Sequence, residues 1–340
     1  NRGFPLYGNA TVIGLTPERL VTVQSPEGLR QIQAGAVVLA MGCRERSRGA
    51  LGIPGTRPAG VYTAGTAQKL INSLGFLPGK RVVILGSGDI GLIMARRMTL
   101  EGAKVEAVCE IMPYPGGLTR NIVQCLEDFG IPLYLSTTVE EIHGKERVEG
   151  VTLVEVDGQR RPIPATRRFA ACDTLLLSVG LIPENELSRQ AGVPLDNITG
   201  GPLVDSRCQT RVPGIFACGN VLQVHDLVDY VTQEGERAGK AAAAFALGRS
   251  PRKETLPVEP GEGIRYVVPQ SLTPGQELVL SFRVSKPSGA VVYRVRAGEQ
   301  VLRQVRRPRA VPGEMERIPL SRELTAHVRA PIRIEMEVAK

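Results

Sequence analysis

The stretch RVVILGSGDIGLIMARRMTLEGAKVEAVCE, residues 81–110, decides the fold of this chain. A five-residue apolar strand, 81–85, runs into the glycine-rich turn 86–91, and a helical segment, a second strand and Glu110 follow in that order. A lone GxGxxG is weak evidence, because glycines also serve ordinary turns. Strand, turn, helix, second strand and terminal acid together predict a βαβ unit that binds a dinucleotide.

The three glycines of the turn have separate roles in this prediction. Gly86 permits the tight turn, Gly88 lets the backbone approach a pyrophosphate, and Gly91 allows helix and strand to pack closely. The helix directs its free N–H groups and the positive end of its dipole at the phosphates. The intervening residues of the turn belong to the same predicted NAD site; they are Ser87, Asp89 and Ile90.

Glu110 decides which nucleotide is expected. It follows Gly91 by nineteen residues, at the end of the second predicted strand. A carboxylate in that place accepts hydrogen bonds from both hydroxyls of an adenosine ribose and repels a 2′-phosphate. The sequence therefore favours NAD(H) over NADP(H).

Length and composition indicate a globular protein of more than one domain. At 340 residues the chain is too long for one typical core, while 42% apolar and 22% charged residues are ordinary values. The net charge of +8 is dispersed, and only 4% of the residues are aromatic, so few platforms exist for stacking bases. We therefore expect no nucleic-acid partner. The densest basic run, 303–309, is interpreted as a solvated edge strand or a docking face.

The six cysteines are scattered along the chain, and no two of them form CxxC. Their spacing indicates neither a zinc site nor a redox disulfide between neighbouring cysteines, and we predict no metal site. Single thiols of this kind are typical of buried positions in a reducing compartment. No stretch approaches the roughly 20 apolar residues of a membrane span, and no signal peptide is visible. The expectation is a cytoplasmic protein.

The remaining pattern predicts strands on both sides of the βαβ unit. Continuous apolar runs at 36–40, 172–179 and 215–218 predict buried parallel strands. A helix is expected to begin near Thr232 and to run to Ala246. Beyond residue 253 the apolar period changes to two, which predicts a small β-sandwich that serves as a docking or structural module.

Four motifs then occur in order within residues 1–250: Ala40-Met41-Gly42, Gly86 to Gly91, Ser178-Val179-Gly180 with Pro183, and Gly214-Ile215-Phe216-Ala217-Cys218-Gly219-Asn220. On these motifs the sequence resembles the two-dinucleotide-binding-domain flavoproteins, which include thioredoxin-reductase-like and glutathione-reductase-like FAD/NAD(P) oxidoreductases. The likeness is closest to the oxidoreductases that accompany glycerol-3-phosphate dehydrogenases. The redox CxxC of the disulfide-reducing members is absent.

The resemblance implies an α/β fold with a Rossmann-like NAD domain inserted in a partial, discontinuous FAD domain, followed by a small all-β sandwich. Four segments are predicted: a first FAD-domain segment at 1–76, an NAD-binding domain at 77–190, an FAD-domain return segment at 191–250 and the sandwich at 251–340.

The N-terminal βαβ unit that holds the FAD pyrophosphate in this family is missing from the sequence. The strand at 36–40 is therefore expected to have an open apolar edge. Three alternatives remain: the chain is a fragment, a separate polypeptide supplies the missing half, or the chain folds around NAD alone.

The resemblance also implies further cofactor residues. On the NAD side it adds Gly180. On the FAD side the implied residues lie at a strand end, at the ribityl chain and near the start of a helix that faces the flavin pyrimidine edge; they are Ala40, Met41, Gly42, Gly219, Asn220, Gln233 and Glu234. Asn220 stands where the family has Asp, so a negative charge is lost while an acceptor oxygen is kept.

The activity that the resemblance implies is hydride transfer between a nicotinamide and FAD. This chemistry needs two stacked rings rather than an acid or a base. We expect electrons to pass to or from a partner redox subunit, or within a homo-oligomer. His225 and Asp226 are weak candidates for an acid–base or gating pair, and a structural loop is their alternative. The alternative function is a non-catalytic scaffold that keeps NAD(H) and cannot hold FAD alone.

Overall fold

The computed structural model describes residues 3–249 and 255–339. The chain divides into two compact units, Arg44–Ile182 and the combination of Asn1–Cys43 with Pro183–Lys340. The predicted boundary between the return segment and the sandwich, at 250/251, lies outside the described residues. The division into four segments stays a prediction.

The discontinuous unit begins with the antiparallel meander β1 (Thr11–Leu15), β2 (Leu20–Ser25) and β3 (Gly28–Gln33), followed by β4 (Val37–Leu39). The next elements are β5 (Cys43–Glu45), α1 (Arg48–Leu51), β6 (Val61–Thr63), α2 (Ala64–Leu74), β7 (Arg81–Leu85), α3 (Asp89–Leu100), β8 (Lys104–Cys109), α4 (Thr119–Cys125), β9 (Leu133–Tyr134), β10 (Thr137–His143), β11 (Gly150–Glu155), β12 (Arg168–Ala171), β13 (Thr174–Leu177) and β14 (Leu181–Pro183).

The unit at 44–182 is built on a five-stranded parallel sheet in the order β6-β13-β7-β8-β9. Three successive residues of its central strand, Val82, Val83 and Ile84, are fully buried, because helices and loops cover both faces of such a sheet. The predicted α/β fold and the βαβ unit at 81–110 are confirmed. Strand β6 and helix α2 belong to this sheet layer, although the sequence assigned residues up to 76 to the first FAD segment.

The discontinuous unit continues with α5 (Glu186–Gln190), β15 (Ile215–Ala217) and α6 (Val228–Ala246). Strand β15 pairs in parallel with β4, and within the described residues these two strands form a sheet by themselves. Helix α6 begins at Val228, so the predicted start near Thr232 is wrong by one turn. Its N-cap residue is the apolar Leu227, in extended conformation and without a side-chain capping bond, so no capping side chain marks this start in the sequence.

The sandwich consists of β16 (Leu256–Pro260), β17 (Ile264–Val268), β18 (Ser271–Leu272), β19 (Leu278–Val284), β20 (Val291–Ala297), β21 (Gln300–Arg307), β22 (Glu316–Leu320), α7 (Arg322–Ala326) and β23 (Ile332–Val338). The sheet β18-β16-β23-β20-β21 and the sheet β17-β19-β22 share one buried core. In this core the rings of Phe282 and Tyr293 meet edge to face, with their centroids 5.0 Å apart. The basic run at 303–309 lies largely on the edge strand β21. Among the helices of the described residues, none has the length and apolarity that a membrane span requires.

Candidate functional site

The glycine turn of residues 86–91 packs against the end of strand β13. Gly86 adopts φ 99°, and a Cβ atom there would collide with the carbonyl oxygen of Ser178. A Cβ atom on Gly91 would lie 2.7 Å from Cβ of Ser178 and 2.8 Å from the carbonyl oxygen of Gly86. Both glycines are therefore required by the packing of the protein itself. Ser178 is the residue that sequence reasoning did not link to this turn.

Gly88 is different, because nothing in the protein requires a glycine there. Its backbone, φ −66° and ψ 161°, is open to any residue, and a Cβ atom would meet no atom closer than 3.7 Å. Gly88 is also the N-cap of α3 and makes no side-chain capping bond. The half-buried backbone of Gly88 thus lies, without a side chain, at the positive end of a twelve-residue helix. This arrangement fits the diphosphate of a dinucleotide.

Glu110 lies directly beside the turn and is 8% exposed. Its Oε2 accepts hydrogen bonds from the backbone N–H of Ser87, at 3.0 Å, and from the Ser87 hydroxyl, at 2.6 Å. Its Oε1 accepts one from the N–H of Met112, at 3.0 Å. The carboxylate therefore stabilises the turn, and Oε1 keeps a lone pair for a ribose hydroxyl.

The side chain of Asp89 is directed away from the predicted phosphate position. Its Oδ1 accepts hydrogen bonds from the N–H of Leu118, at 2.8 Å, and from Nδ2 of Asn121, at 2.7 Å. Asp89 thus holds the start of α4 through Oδ1. The N–H of Gly116 donates to the Ser87 hydroxyl at 2.8 Å, so the Gly116-Gly117 turn joins the site. The paired glycines after β8 were the signal for it.

Gly180 follows β13 at the carboxyl edge of the same sheet. It adopts φ 93°, its carbonyl accepts a hydrogen bond from the N–H of Arg46 at 3.2 Å, and no other atom lies within 4 Å of a Cβ atom built there. Ile90 is 41% exposed on the first turn of α3. Gly180 therefore follows the strand against which the turn packs, and Ile90 belongs to the turn itself.

The FAD-side residues gather at the carboxyl ends of β4 and β15. The two strands pair with Leu39 opposite Ala217, which brings 40–42 beside Gly219 and Asn220. Ala40 is exposed, and Met41 is 36% exposed. This open apolar edge beside a polar turn fits a flavin nucleotide, whose rings are apolar and whose ribityl chain is polar.

The buried carboxylate of Glu234 fixes the position of the Gly219 turn by a hydrogen bond. Glu234 of α6 accepts hydrogen bonds from the N–H of Gly219 at 2.6 Å, from Nε2 of His225 at 3.0 Å and from Nε2 of Gln223 at 3.3 Å. The His225 side chain is 3% exposed, and its Nδ1 has no partner among the described residues. The backbone N–H of His225 donates to Oδ1 of Asn220 at 3.1 Å. Sequence reasoning missed this network, because it placed Glu234 at the helix start.

The structure does not bring His225 and Asp226 together as a pair. Their side chains reach different partners: His225 contacts Glu234, and Asp226 forms an ion pair with Arg283 of β19 at 2.5 Å. Gln233 is exposed, and its Oε1 accepts a hydrogen bond from Arg317 at 3.0 Å. Gln233 and Glu234 therefore lie in the second turn of α6, and neither is at its N-terminus.

Comparison with known proteins agrees with this geometry. A family model described as pyridine nucleotide-disulphide oxidoreductase matches residues 2–244, which is more than half of the chain. The chain belongs to the pyridine nucleotide-disulphide oxidoreductase family. The resemblance inferred from the four motifs is confirmed.

Relatives within the family include components of electron-transfer systems. The ferredoxin reductase component of chlorobenzene dioxygenase from Cupriavidus sp. (strain PS12) is 30% identical over 283 residues, covering 78% of this chain and 63% of the relative. The ferredoxin–NAD(+) reductase subunit of the benzene 1,2-dioxygenase system from Pseudomonas putida is 32% identical over 245 residues, covering 67% of this chain and 54% of the relative. The chain thus spans less than two thirds of the length of these relatives.

Solved structures of the family share the fold. A ferredoxin reductase of Rhodopseudomonas palustris superposes with a TM-score of 0.55 at 23% identity, over 83% of this chain and 66% of that one. The thioredoxin reductase of T. acidophilum gives 0.56 at 23% identity, over 70% and 73% of the two chains. Members of the family are FAD- and NAD(H)-dependent oxidoreductases.

The chain departs from the disulfide-reducing members of the family in its cysteines. None of the six forms a disulfide, and none belongs to a CxxC. Burial raises the pKa of the Cys218 thiol to about 11 and that of Cys172 to about 11, and it raises the pKa of Cys208 further. These thiols are protonated at neutral pH, which excludes them as nucleophiles there.

Proposed function

We propose that this protein is an NAD(H)-linked flavin oxidoreductase, or a subunit of one, that transfers hydride between a nicotinamide and FAD. The observation that carries the proposal is Gly88, which lies at the N-terminus of α3 although no steric contact in the protein requires glycine there. Membership of the family supports FAD as the second cofactor.

The residues of this chain have distinct roles in the proposal. The backbone of 86–91 binds the diphosphate, Glu110 orients the adenosine ribose, and Gly180 leaves room beside the turn. The ends of β4 and β15 bind FAD, with Gly219 and Asn220 at the ribityl chain. When bound, FAD supplies the N5 atom that accepts or releases hydride. We keep the four predicted segments as the domain division.

A partner protein is part of the proposal. The relatives from Cupriavidus and Pseudomonas putida are named as reductases of ferredoxin, each within a dioxygenase system. Their names support electron exchange with a second protein, or within an oligomer of this chain. We also propose a reducing compartment such as the cytoplasm, because none of the six cysteines forms a disulfide.

NADH binding to Gly88→Ala tests the nucleotide site. An added methyl group would occupy the space assigned to the diphosphate, so we expect NADH to bind at least about tenfold more weakly, a loss of roughly 1.4 kcal/mol. Gly158→Ala is the control. No atom lies within 4 Å of its Cβ position, and at Gly88 the nearest atom, the carbonyl oxygen of Ser178, is at the ordinary contact distance of 3.7 Å. Fluorescence titration with NADH measures both. Equal affinities in the two variants would refute the assignment of the turn.

The FAD assignment is tested by the visible spectrum of the purified chain supplied with FAD. A retained flavin that bleaches on addition of NADH supports the oxidoreductase. A protein that binds NADH and takes up no FAD supports the alternative, a non-catalytic NAD-binding scaffold. One observation favours that alternative: the FAD-side sheet has two strands, β4 and β15, within the described residues.

A further inference from the structure

We propose that the three-stranded sheet of the sandwich, β17-β19-β22, positions the Gly219 turn. The sheet is then an integral part of the flavin site, in addition to any role in docking. This inference rests on the proposed function, because the Gly219 turn is assigned to FAD there. The segment that the sheet contacts is the Asp226 loop, residues 222–227, which connects the Gly219 turn with helix α6.

Each strand of this sheet contributes one side chain to a cluster around the Asp226 loop. Tyr266 of β17 lies opposite Arg283 of β19 in the strand register, and Arg317 of β22 follows on the next strand. The hydroxyl of Tyr266 accepts a hydrogen bond from Nε of Arg283 at 3.2 Å. The cluster is therefore set by the regular pairing of the three strands.

All three guanidinium nitrogens of Arg283 donate hydrogen bonds, and Nη2 joins the loop to the sandwich. Its Nη2 donates to Oδ1 of Asp226 at 2.5 Å and to the carbonyl of Val224 at 3.2 Å. Its Nη1 donates to two carbonyls of the turn at 312–313. Oδ2 of Asp226 accepts the N–H of Met315 at 2.6 Å. Both side chains are 14% exposed, so water screens this pair far less than a surface pair.

Arg317 contacts the helix that follows the loop. Its guanidinium lies over the ring of Tyr230, 4.1 Å from the centroid, and its Nη1 donates to Oε1 of Gln233 at 3.0 Å. Both partners lie in the first two turns of α6. The loop and the helix that follows it are thus fixed by adjacent strands of one sheet.

The sandwich also completes the core beneath the FAD-side strands. Tyr266 and Val268 belong to the same buried cluster as Leu39 of β4 and Ala217 of β15. The N–H of Gln270 donates to the carbonyl of Val204 at 3.1 Å. Apolar packing and polar contacts therefore connect the sandwich with the segment that carries the turn.

The position of the loop is transmitted to the turn through His225. This residue precedes Asp226 and contacts Glu234, which accepts the N–H of Gly219. Displacement of Asp226 moves His225 from its acceptor and releases one of the contacts that place Glu234. Arg283 and Asp226 are thus positioning residues, and they act on the turn through two further side chains.

The test uses the full chain with Asp226→Asn and Arg283→Met. We expect hydrogen exchange of the amides at 219–229 to accelerate at least tenfold in both variants, while the amides of β20 and β23 keep their rates. FAD, measured by quenching of its fluorescence, is expected to bind at least tenfold more weakly. Asp226→Asn keeps the shape of the side chain, so it reports on positioning even where Arg283→Met does not fold.

Two controls separate positioning from general stability. Arg294→Gln removes an ion pair with Glu337 inside the sandwich and should change neither readout. Val295→Ala opens a cavity in the sandwich core on β20, a strand of the other sheet, where Val295 is 0% exposed. It should lower the melting temperature while leaving exchange at 219–229 unchanged.

The outcomes are distinct. Unchanged exchange at 219–229 in Asp226→Asn, or equal acceleration in Val295→Ala, would overturn the inference. A wild-type chain that takes up no FAD would remove the flavin part of the proposed function, and the exchange measurement would still decide whether the sandwich positions the turn.

Discussion

Gly88 and Gly91 belong to one motif, and the structure gives them different reasons to be glycine. A Cβ atom at Gly91 would collide with Ser178 at the end of β13, whereas a Cβ atom at Gly88 would make only ordinary contacts, at 3.7 Å or more, with the same residue. The first glycine is a packing requirement, and the second is not, which is why we assign it to ligand binding. At the scale of residues, the distinction between structure and function therefore depends on what a single methyl group would touch.

This distinction predicts opposite effects on stability. Gly91→Ala forces Cβ to within 2.7 Å of the side chain of Ser178, so we expect the free energy of unfolding to fall by about 1–3 kcal/mol. Gly88→Ala meets no such contact and should cost less than about 1 kcal/mol, the difference between glycine and alanine at an N-cap. Urea denaturation of both variants measures this. A larger loss in Gly88→Ala would show that its glycine is structural.

The thiols give a second prediction at this scale. Burial raises the pKa of Cys109 to about 12 and that of Cys218 to about 11, so both remain neutral well above pH 8 in the folded protein. Of the six cysteines only Cys43 is half-buried. We expect Ellman's reagent at pH 8 to modify at most one thiol rapidly in the native protein and six after denaturation. Rapid modification of three or more would contradict the burial.

The same shifts determine a dependence of stability on pH. A thiol whose pKa is raised on folding ionises more readily in the unfolded chain. Its contribution to stability is complete below the unfolded pKa, near 9, and is lost as the pH rises through and above it. We expect the urea midpoint to decrease between pH 9 and pH 11. A midpoint that rises over this interval would contradict the assignment.

At the scale of elements, the two parallel sheets differ in how their strands are covered. Strand β7 has hydrogen-bonded neighbours on both sides, β13 and β8. Strand β4 pairs only with β15 within the described residues, and its Val38 is 37% exposed. Residues 37 and 39 bond to the β15 side. Since alternate residues of a parallel strand face alternate neighbours, Val38 directs its N–H to the open edge.

Amide exchange measures this difference. We expect the amide of Val38 to exchange at least about 100-fold faster than that of Val83, because an unpaired edge group needs no opening of the sheet. Addition of a polypeptide that pairs with β4 would slow the exchange of Val38. Equal protection of the two amides in the isolated chain would show that another part of the protein covers the edge.

At the scale of the whole molecule, the chain consists of two compact units with separate parts of the proposed site. The NAD turn lies entirely within 44–182, and the Gly219 turn with the sandwich lies within the discontinuous unit. A ligand that binds one unit raises the free energy of local unfolding in that unit, because an opening that breaks its contacts also loses its binding free energy.

NADH is therefore expected to protect one unit selectively. At a concentration of 100 Kd, it adds about 2.7 kcal/mol to openings that release it. Amides of β7, β8 and α3 should then exchange up to about 100-fold more slowly, while amides of β20 and β23 keep their rates. Hydrogen exchange with and without NADH, in protein free of FAD, measures this. Protection confined to the sandwich would contradict the location of the nucleotide site.

The sequence by itself determined the βαβ unit, because the apolar pattern of its strands and helix, the spacing of its glycines and Glu110 all lie within the thirty residues 81–110. Only the tertiary structure decided that Glu234 holds Gly219, that Arg283 holds Asp226 across 57 positions, and that β6 joins the NAD-side sheet. The physical reason is locality. Turn chemistry and apolar period act between near neighbours, whereas a hydrogen bond between distant segments depends on the packing of every element between them.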